Sequence, residues 1–284
     1  MSHDFPQKNI SICADDFGIT EKVNKIILRL IKAKRITETS CIVLSKYFSN
    51  DAKELALYRK NIGIGVHLTL TDFTPLTEVK CLSNNSKLGS IKDLIIKSFS
   101  QNYSKSEISK EINFQLDKFE STFGFKPDFI DGHHHVQQLP LIRNIIIDTI
   151  KKRYRAPYPW VRNTNENFFK IFKRKTSIIK SLLLSIMGIK IKKLAKENFI
   201  RTNNGFSGVY DFSLNKNYEK LFKNFINNID ENHLIMVHPG ENDEVLSKID
   251  SANKSRDMEF NYLISEKFTE MLIENNIKLK KLFS

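Results

Sequence analysis

Four groups of polar residues, far apart in the sequence, hold the side chains that could do acid, base or metal chemistry. They are Asp15-Asp16, His67, Asp131 with the run His133-His134-His135, and His238-Pro239-Gly240-Glu241. Carboxylates and imidazoles gathered in one place can bind a divalent ion, take a proton from water or give one to a leaving group. Each group also has an ordinary use. An Asp pair behind a strand suits a helix N-cap, and a single histidine within a strand suits a hydrogen-bonded core position. Three consecutive histidines behind an aspartate are harder to assign to packing. On an extended segment, alternation puts His133 and His135 on one side and His134 on the other, so at least one should face a shared mouth.

The elements that would position these groups bring them together. The first half of the chain alternates β-branched apolar runs with amphipathic helical patterns, the signature of a parallel sheet with crossover helices. Residues 9–14 (NISICA) read as a strand, and residues 20–34 as a helix capped by Thr20, with Val23, Ile26, Ile27, Leu30 and Ile31 on one face. Strands are expected at 39–44 and 62–68, with a helix at 51–58 between them. A loop with a short hairpin follows over 71–89. A helix at 106–123 stops at Gly124, a strand follows at 127–131 and a helix at 139–151. The prolines of APYPW (156–160) demand an extended or turning segment. Helices are expected at 177–196, 214–229 and 259–274, with a strand at 233–237. The pattern predicts an α/β fold: a (β/α) TIM-like barrel, one domain over residues 1–284, with a helical insertion near 160–200. In such barrels the C-terminal strand ends converge on one mouth, and every polar group ends or follows a predicted strand.

Composition narrows the class. Hydrophobic residues at 40% and charged residues at 27% fit a globular chain and exclude a disordered one. No apolar run reaches the roughly 18–20 residues of a membrane span. Residues 1–9 contain Asp4 and no hydrophobic signal region, so a cytoplasmic location is expected. Cys13, Cys41 and Cys81 are too scattered for a disulfide framework or zinc ribbon; Cys13 and Cys41, within β-like runs, read as buried free thiols. The net charge is +13, and residues 151–196 hold 14 Lys and Arg against one acid, Glu166, so the whole excess lies there. No nucleic-acid motif accompanies it, and no nucleic-acid partner is expected. A basic helix at 177–196 fits either a lid or dimer helix with a solvated face, or peripheral contact with an anionic membrane.

The motifs ADDFG (14–18), GVHLTLT (65–71), DGHHHVQ (131–137) with Pro140 close behind, Gly205-Phe206 and HPGE (238–241) resemble those of the YdjC-like carbohydrate deacetylases. That group includes chitooligosaccharide deacetylases and hopanoid-associated deacetylases. The motifs come in the family's order and cover nearly the whole chain. The resemblance implies a distorted barrel that holds one divalent metal ion through Asp16, His67 and His133. It further implies Asp15 as general base, His238 as general acid, and His135, Phe206 and Glu241 as substrate contacts. An arginine near the site is also implied; Arg155 is the nearest match, although its Arg-Ala-Pro setting departs from the family pattern. The run ends HHHVQ where HHHVH is common, so Gln137 should alter substrate contacts rather than metal binding.

The implied reaction is hydrolysis of the N-acetyl amide of a chitooligosaccharide-like sugar to the free amine and acetate. The ion would acidify water and polarise the acetyl carbonyl, and a histidine with an ordinary pKa of about 6.5 suits protonation of the leaving amine. Imidazole ligands suit Zn, Ni or Co, and the family resemblance adds Mg. A homodimer is compatible with the resemblance. Two rival readings remain at this level: a deacetylase of a lipid-linked N-acetyl sugar, and a non-catalytic sugar- or nucleic-acid-binding protein.

Overall fold

A near-continuous apolar run becomes the central strand of the sheet. In a computed structural model that describes residues 6–84, 86–212, 217–250 and 253–283, β1 (Lys8–Phe17) leads into α1 (Glu21–Lys32). Thr20 caps α1, its side chain accepting from the Val23 N–H, as its sequence position predicts. Next come β2 (Glu38–Cys41), α2 (Ala52–Ala56), β3 (Gly63–Leu68), the hairpin β4 (Ser83–Asn84) and β5 (Lys87–Leu88), α3 (Ile91–Ser100) and α4 (Lys105–Phe123). The chain continues through β6 (Phe129–Gly132), α5 (Ile142–Arg153), β7 (Trp160–Val161), α6 (Phe168–Arg174) and α7 (Ile178–Glu197). It ends with β8 (Gly205–Ser207), α8 (Tyr218–Phe225), β9 (His233–Val237), α9 (Glu244–Ile249), α10 (Asn253–Ile264), α11 (Glu266–Glu274) and β10 (Ile277–Leu279). The helix expected over 259–274 is therefore two helices, α10 and α11. Of the helix expected over 214–229, residues 214–216 lie outside the described residues.

The strand order is β7-β6-β3-β2-β1-β9-β8, and β10 pairs with the first residues of β1. All of these pairings are parallel. The sheet curls into a distorted (β/α) barrel. Between its two edge strands, Val161 N–H donates to the Arg201 carbonyl at 3.0 Å. Just beyond, Asn163 and Asn203 exchange bonds: Asn163 Nδ2 to the Asn203 carbonyl at 2.8 Å, and Asn203 Nδ2 to the Asn163 carbonyl at 2.9 Å. Side-chain amides thus stand in where the backbone ladder does not close.

Strand alternation sorts the side chains into two cores. Ile10, Ile12 and Ala14 of β1 face the helices. Cys13, Phe129, Trp160, Phe206, Leu234, Met236 and Leu282 fill the barrel interior. Phe129 and Trp160 stack at 4.4 Å, and a β-carbon at Gly65 would lie 2.5 Å from the Phe129 ring, so β3 needs glycine there. One step of two residues up the same strands leads from Cys13 to Asp15, from Gly65 to His67, from Phe129 to Asp131, from Trp160 to Arg162 and from Met236 to His238. The apolar interior is a floor, and the polar row above it is the candidate site.

Below the floor, Glu38 is buried, with Gly63 leaving space for its carboxyl, and Oε1 accepts from the Leu282 N–H at 2.7 Å. Burial pushes this carboxyl up to about 8. The folded protein therefore keeps a proton that the unfolded chain releases near pH 4.3. Stability from this group is complete below that value, falls as pH rises toward about 8, and is lost above it. Glu38→Gln should flatten the slope between about pH 5 and 8 and raise stability near pH 7.5 by roughly 1–3 kcal/mol. Urea melts over a pH series measure this, and an unchanged slope in the variant would exclude Glu38 as the source.

The segment between β7 and β8 holds α6 and α7. Arg174 Nη1 pairs with Glu166 Oε2 at 2.7 Å in the interior, and Ser185 Oγ donates to the Glu166 carbonyl at 2.8 Å. A β-carbon at Gly188 would lie 2.3 Å from the Asn165 nitrogen, so glycine lets α7 rest on the extended chain after β7. No described helix is long and apolar enough to cross a membrane.

Candidate active site

Asp15 and Asp16 are neighbours on β1, and regular alternation would point them to opposite sides. A register shift between Ala14 and Phe17 and a left-handed φ of 71° at Asp16 break the alternation. Both carboxylates then line one cleft of about 390 Å³, together with His67, His133, His135 and His238. Its volume falls in the small-molecule range.

Two arginines tie the carboxylates down. Arg162 grips Asp15 with two bonds of 2.6 Å and also reaches Asp131 Oδ2 at 2.7 Å, all buried. Arg256, from α10, pairs with Asp16 Oδ2 and holds Asp250 through Nε at 2.6 Å. Burial alone would raise the Asp15 pKa, but the Arg162 guanidinium outweighs it and holds the carboxyl well below the usual range. Arg256 does the same for Asp16, with help from His133 and His67.

The three residues that the family resemblance names as metal ligands meet. Asp16 Oδ1 lies 3.2 Å from His133 Nδ1 and 3.4 Å from His67 Nε2, and the three donor atoms lie within 4.8 Å of one another. His67 Nδ1 donates to Asp131 Oδ1 at 2.7 Å, which aims Nε2 at Asp16. A carboxylate behind a histidine is the usual device for orienting a metal ligand. Charge supports the fit. Four carboxylates (Asp15, Asp16, Asp131, Asp250) face two guanidiniums (Arg162, Arg256) and the Lys180 ammonium, which also lines the cleft, so negative charge remains in excess and favours a divalent cation. The same excess acts on His67: burial would lower its pKa, but Asp131 leads the carboxylates that push it up to about 10. A second group, Asp72, His133 and His134, shares His133 but is mostly exposed, and lacks this anchoring.

His238 enters from the end of β9. Its Nε2 is 4.0 Å from Asp15 Oδ2, and its ring meets Phe212 edge-on at 5.4 Å. Its backbone N–H donates to Glu259 Oε2 at 2.6 Å, and Glu259 in turn accepts from Tyr210 and Tyr218. The backbone from which the imidazole hangs is therefore fixed.

The histidine run departs from the expected alternation. After Gly132 the chain turns at once into a tight helical turn, with His134 and His135 at left-handed φ of 54° and 58°. The turn packs over Gly132, where a β-carbon would meet Val136 at 2.8 Å. Consequently His133 faces Asp16, while His134 turns to Thr71 at 3.2 Å. His135 sits edge-on against Phe206 at 5.6 Å and lines the cleft. Phe206 itself is buried and backs His135 rather than lining the cleft. Gln137 is buried too, its Nε2 donating to the Arg162 carbonyl at 3.3 Å, so it supports the site from behind.

Arg155 and Glu241 are not brought into the cleft. Arg155 is exposed and precedes β7, at the end of the strand opposite the site. Glu241 is half exposed and pairs with Lys22 across the surface at 2.5 Å. The arginine at the site is Arg162, one strand step beyond Trp160. Arg256, Asp131 and Ser40, whose Oγ lies 3.0 Å from His67 Nδ1 and donates to Asp15 at 3.3 Å, are further members.

With this geometry in place, comparison with known proteins defines the class. The chain matches the YdjC-like protein family over residues 9–274 and belongs to it. It is 31% identical over 140 residues to a chitooligosaccharide deacetylase of Proteus mirabilis (strain HI4320), covering 49% of this chain and 54% of that protein. A chitooligosaccharide deacetylase of Yersinia pestis (strain Pestoides F) matches at 31% over 141 residues, with the same coverage. The matched part thus spans about half the length of these relatives. Among solved structures, an Enterococcus faecalis V583 protein named for cellobiose-phosphate cleavage superposes with a TM-score of 0.71 at 23% identity, covering 97% of this chain and 98% of that one. The Bc1960 peptidoglycan N-acetylglucosamine deacetylase gives a TM-score of 0.52 at 12% identity, covering 98% and 87%. Both likenesses support the barrel fold.

Proposed function

We propose that the protein is a metal-dependent carbohydrate deacetylase that hydrolyses the N-acetyl amide of an N-acetylated sugar to the amine and acetate. The observation that carries this reading is one cleft with three kinds of group: the Asp16–His67–His133 donor set, the Arg162-held carboxylate of Asp15, and the imidazole of His238. The names of the aligned relatives supply the substrate class.

A divalent ion bound by Asp16, His67 and His133 would supply Lewis acidity to a water and to the acyl oxygen. Zn, Ni or Co suits two imidazoles and a carboxylate, and Mg is the alternative. Asp15 is ionised and has no freedom to swing, because both of its oxygens are held by Arg162. It accepts the proton of the attacking water at a carboxylate oxygen. His238, whose Nε2 stands 4.0 Å from Asp15 Oδ2, gives a proton to the departing nitrogen from Nε2. Asp131 keeps His67 in the tautomer that points Nε2 at Asp16. His135, against Phe206, forms part of the wall on which the sugar rests. A non-catalytic binder has no need of both a donor set and an acid–base pair.

The test is acetate release from N-acetylglucosamine and its β-linked oligomers, before and after chelation and with each metal restored. Release that chelation abolishes and metal restores is the expected result. No release from any N-acetyl sugar by metal-loaded protein would overturn the reading.

A further inference from the structure

Among the described residues, eight of the seventeen exposed large apolar side chains fall within residues 168–199, Phe169, Phe172, Ile179 and Phe199 among them. The same 32 residues hold nine Lys and Arg against Glu197 alone. On α7, Ile179, Leu183 and Ile186 are 77%, 59% and 52% exposed. They stand at i, i+4 and i+7, one stripe of the helix. Farther along, that stripe carries the exposed lysines Lys190 and Lys193. The opposite face, with Ser185, Gly188, Ile191 and Ala195, is buried on the barrel. A surface helix normally turns polar residues outward; the first three turns of α7 turn Ile179, Leu183 and Ile186 outward instead.

A second helix repeats the pattern at the same cleft. Ile96 and Phe99 of α3 are 67% and 63% exposed. The cleft is lined by Ile91 from α3 and by Lys180 and Leu184 from α7. On α7 the exposed apolar residues stand beside the lining ones, and on α3 they begin at Ile95, four residues after Ile91, so both patches adjoin the mouth. Exposed apolar surface concentrated in this way marks a docking site.

Charge chooses the occupant. A second copy packed face to face would set one strongly basic patch against an identical one. An anionic bilayer supplies the missing counter-charge and accepts apolar side chains at the headgroup–acyl boundary. We propose that α6 and α7, together with α3, seat the protein on the surface of an anionic lipid bilayer, with the isoleucine–leucine stripe inserted and the lysines among the headgroups. This docking does not depend on the reaction in the cleft.

Flotation of the full chain with phosphatidylcholine vesicles, with and without phosphatidylglycerol, tests the proposal. Binding to the anionic vesicles should exceed binding to the neutral ones by about tenfold or more and weaken as salt rises. Ile179→Ser/Leu183→Ser/Ile186→Ser should lower anionic-vesicle binding about tenfold with an unchanged circular dichroism spectrum. Lys190→Glu/Lys193→Glu, two exposed positions whose change leaves the core untouched, should remove the preference for anionic lipid. No binding to anionic vesicles, or full binding by both variants, would overturn it. So would a vesicle-free dimer that the serine variant dissociates, since that result gives the face to a second copy.

Discussion

Asp15→Asn should leave the metal content of the protein unchanged and lower the rate of acetate release by roughly 10²- to 10⁴-fold, the range associated with loss of a general base. The substitution keeps the shape of the side chain and removes its charge. Asp15 bonds to Arg162 through both oxygens at 2.6 Å each and to Ser40, whereas His67 and His133 pair with Asp16 Oδ1. The donor set on Asp16 Oδ1 is therefore preserved. Arg162 loses one of two buried carboxylate partners and keeps Asp131 at 2.7 Å. Breaking part of a buried ionic cluster is destabilising, by up to about 3–5 kcal/mol where one partner is removed outright, so the thermal midpoint should fall as well. The rate loss must be read on folded protein, below the lowered midpoint, as a drop in kcat with little change in KM. Activity within threefold of the native protein at equal metal content would reduce Asp15 to an anchor for Arg162.

The residues legible in the sequence are those whose chemistry is rare in a core and whose strands are long enough to read. Asp15-Asp16 closes a ten-residue strand and His67 sits near the end of a six-residue one. A period of two then says which residues share the mouth. Arg162 was harder to read because β7 is only two residues long and follows two prolines. Its signal lay in Trp160-Val161-Arg162, where alternation puts Arg162 in the same row as Asp131; proximity to the histidine run pointed to Arg155 instead. Arg256 had no local signal at all. It reaches Asp16 from 240 residues away, off a helix whose sequence, NKSRDMEF, gives no clear apolar face. The turn at His134 and His135 follows from contacts made over Gly132 and against Phe206, which no spacing rule contains. The 177–196 helix was legible as an element. That its outer stripe is apolar could be seen only once its buried face was known.

His67→Ala and His133→Ala should each weaken divalent-metal binding by more than about 100-fold, beyond the 10- to 100-fold typical of losing a supporting partner behind a ligand. Asp131→Asn should fall within that lower range, because it leaves His67 Nε2 in place, weakens the charge-assisted hydrogen bond that orients the ring through Nδ1, and removes the charge that Arg162 pairs with at Oδ2. The gradation separates ligand from support. Metal binding to the folded state alone stabilises by RT ln(1 + [L]/Kd), about 2.7 kcal/mol at 100 times Kd. A variant whose Kd is 100-fold weaker would gain only about 0.4 kcal/mol at the same concentration. The native protein should thus show a clear metal-dependent rise in thermal midpoint, the alanine variants almost none, and Asp131→Asn an intermediate one. Loss of an imidazole cannot be offset by charge, since the excess of negative charge that favours a cation remains. What disappears is a donor aimed at the right point. If His67→Ala keeps the full shift while His133→Ala loses it, the ion is held instead by the outer group of Asp72, His133 and His134, and the assignment of Asp16 as a ligand falls with that of His67.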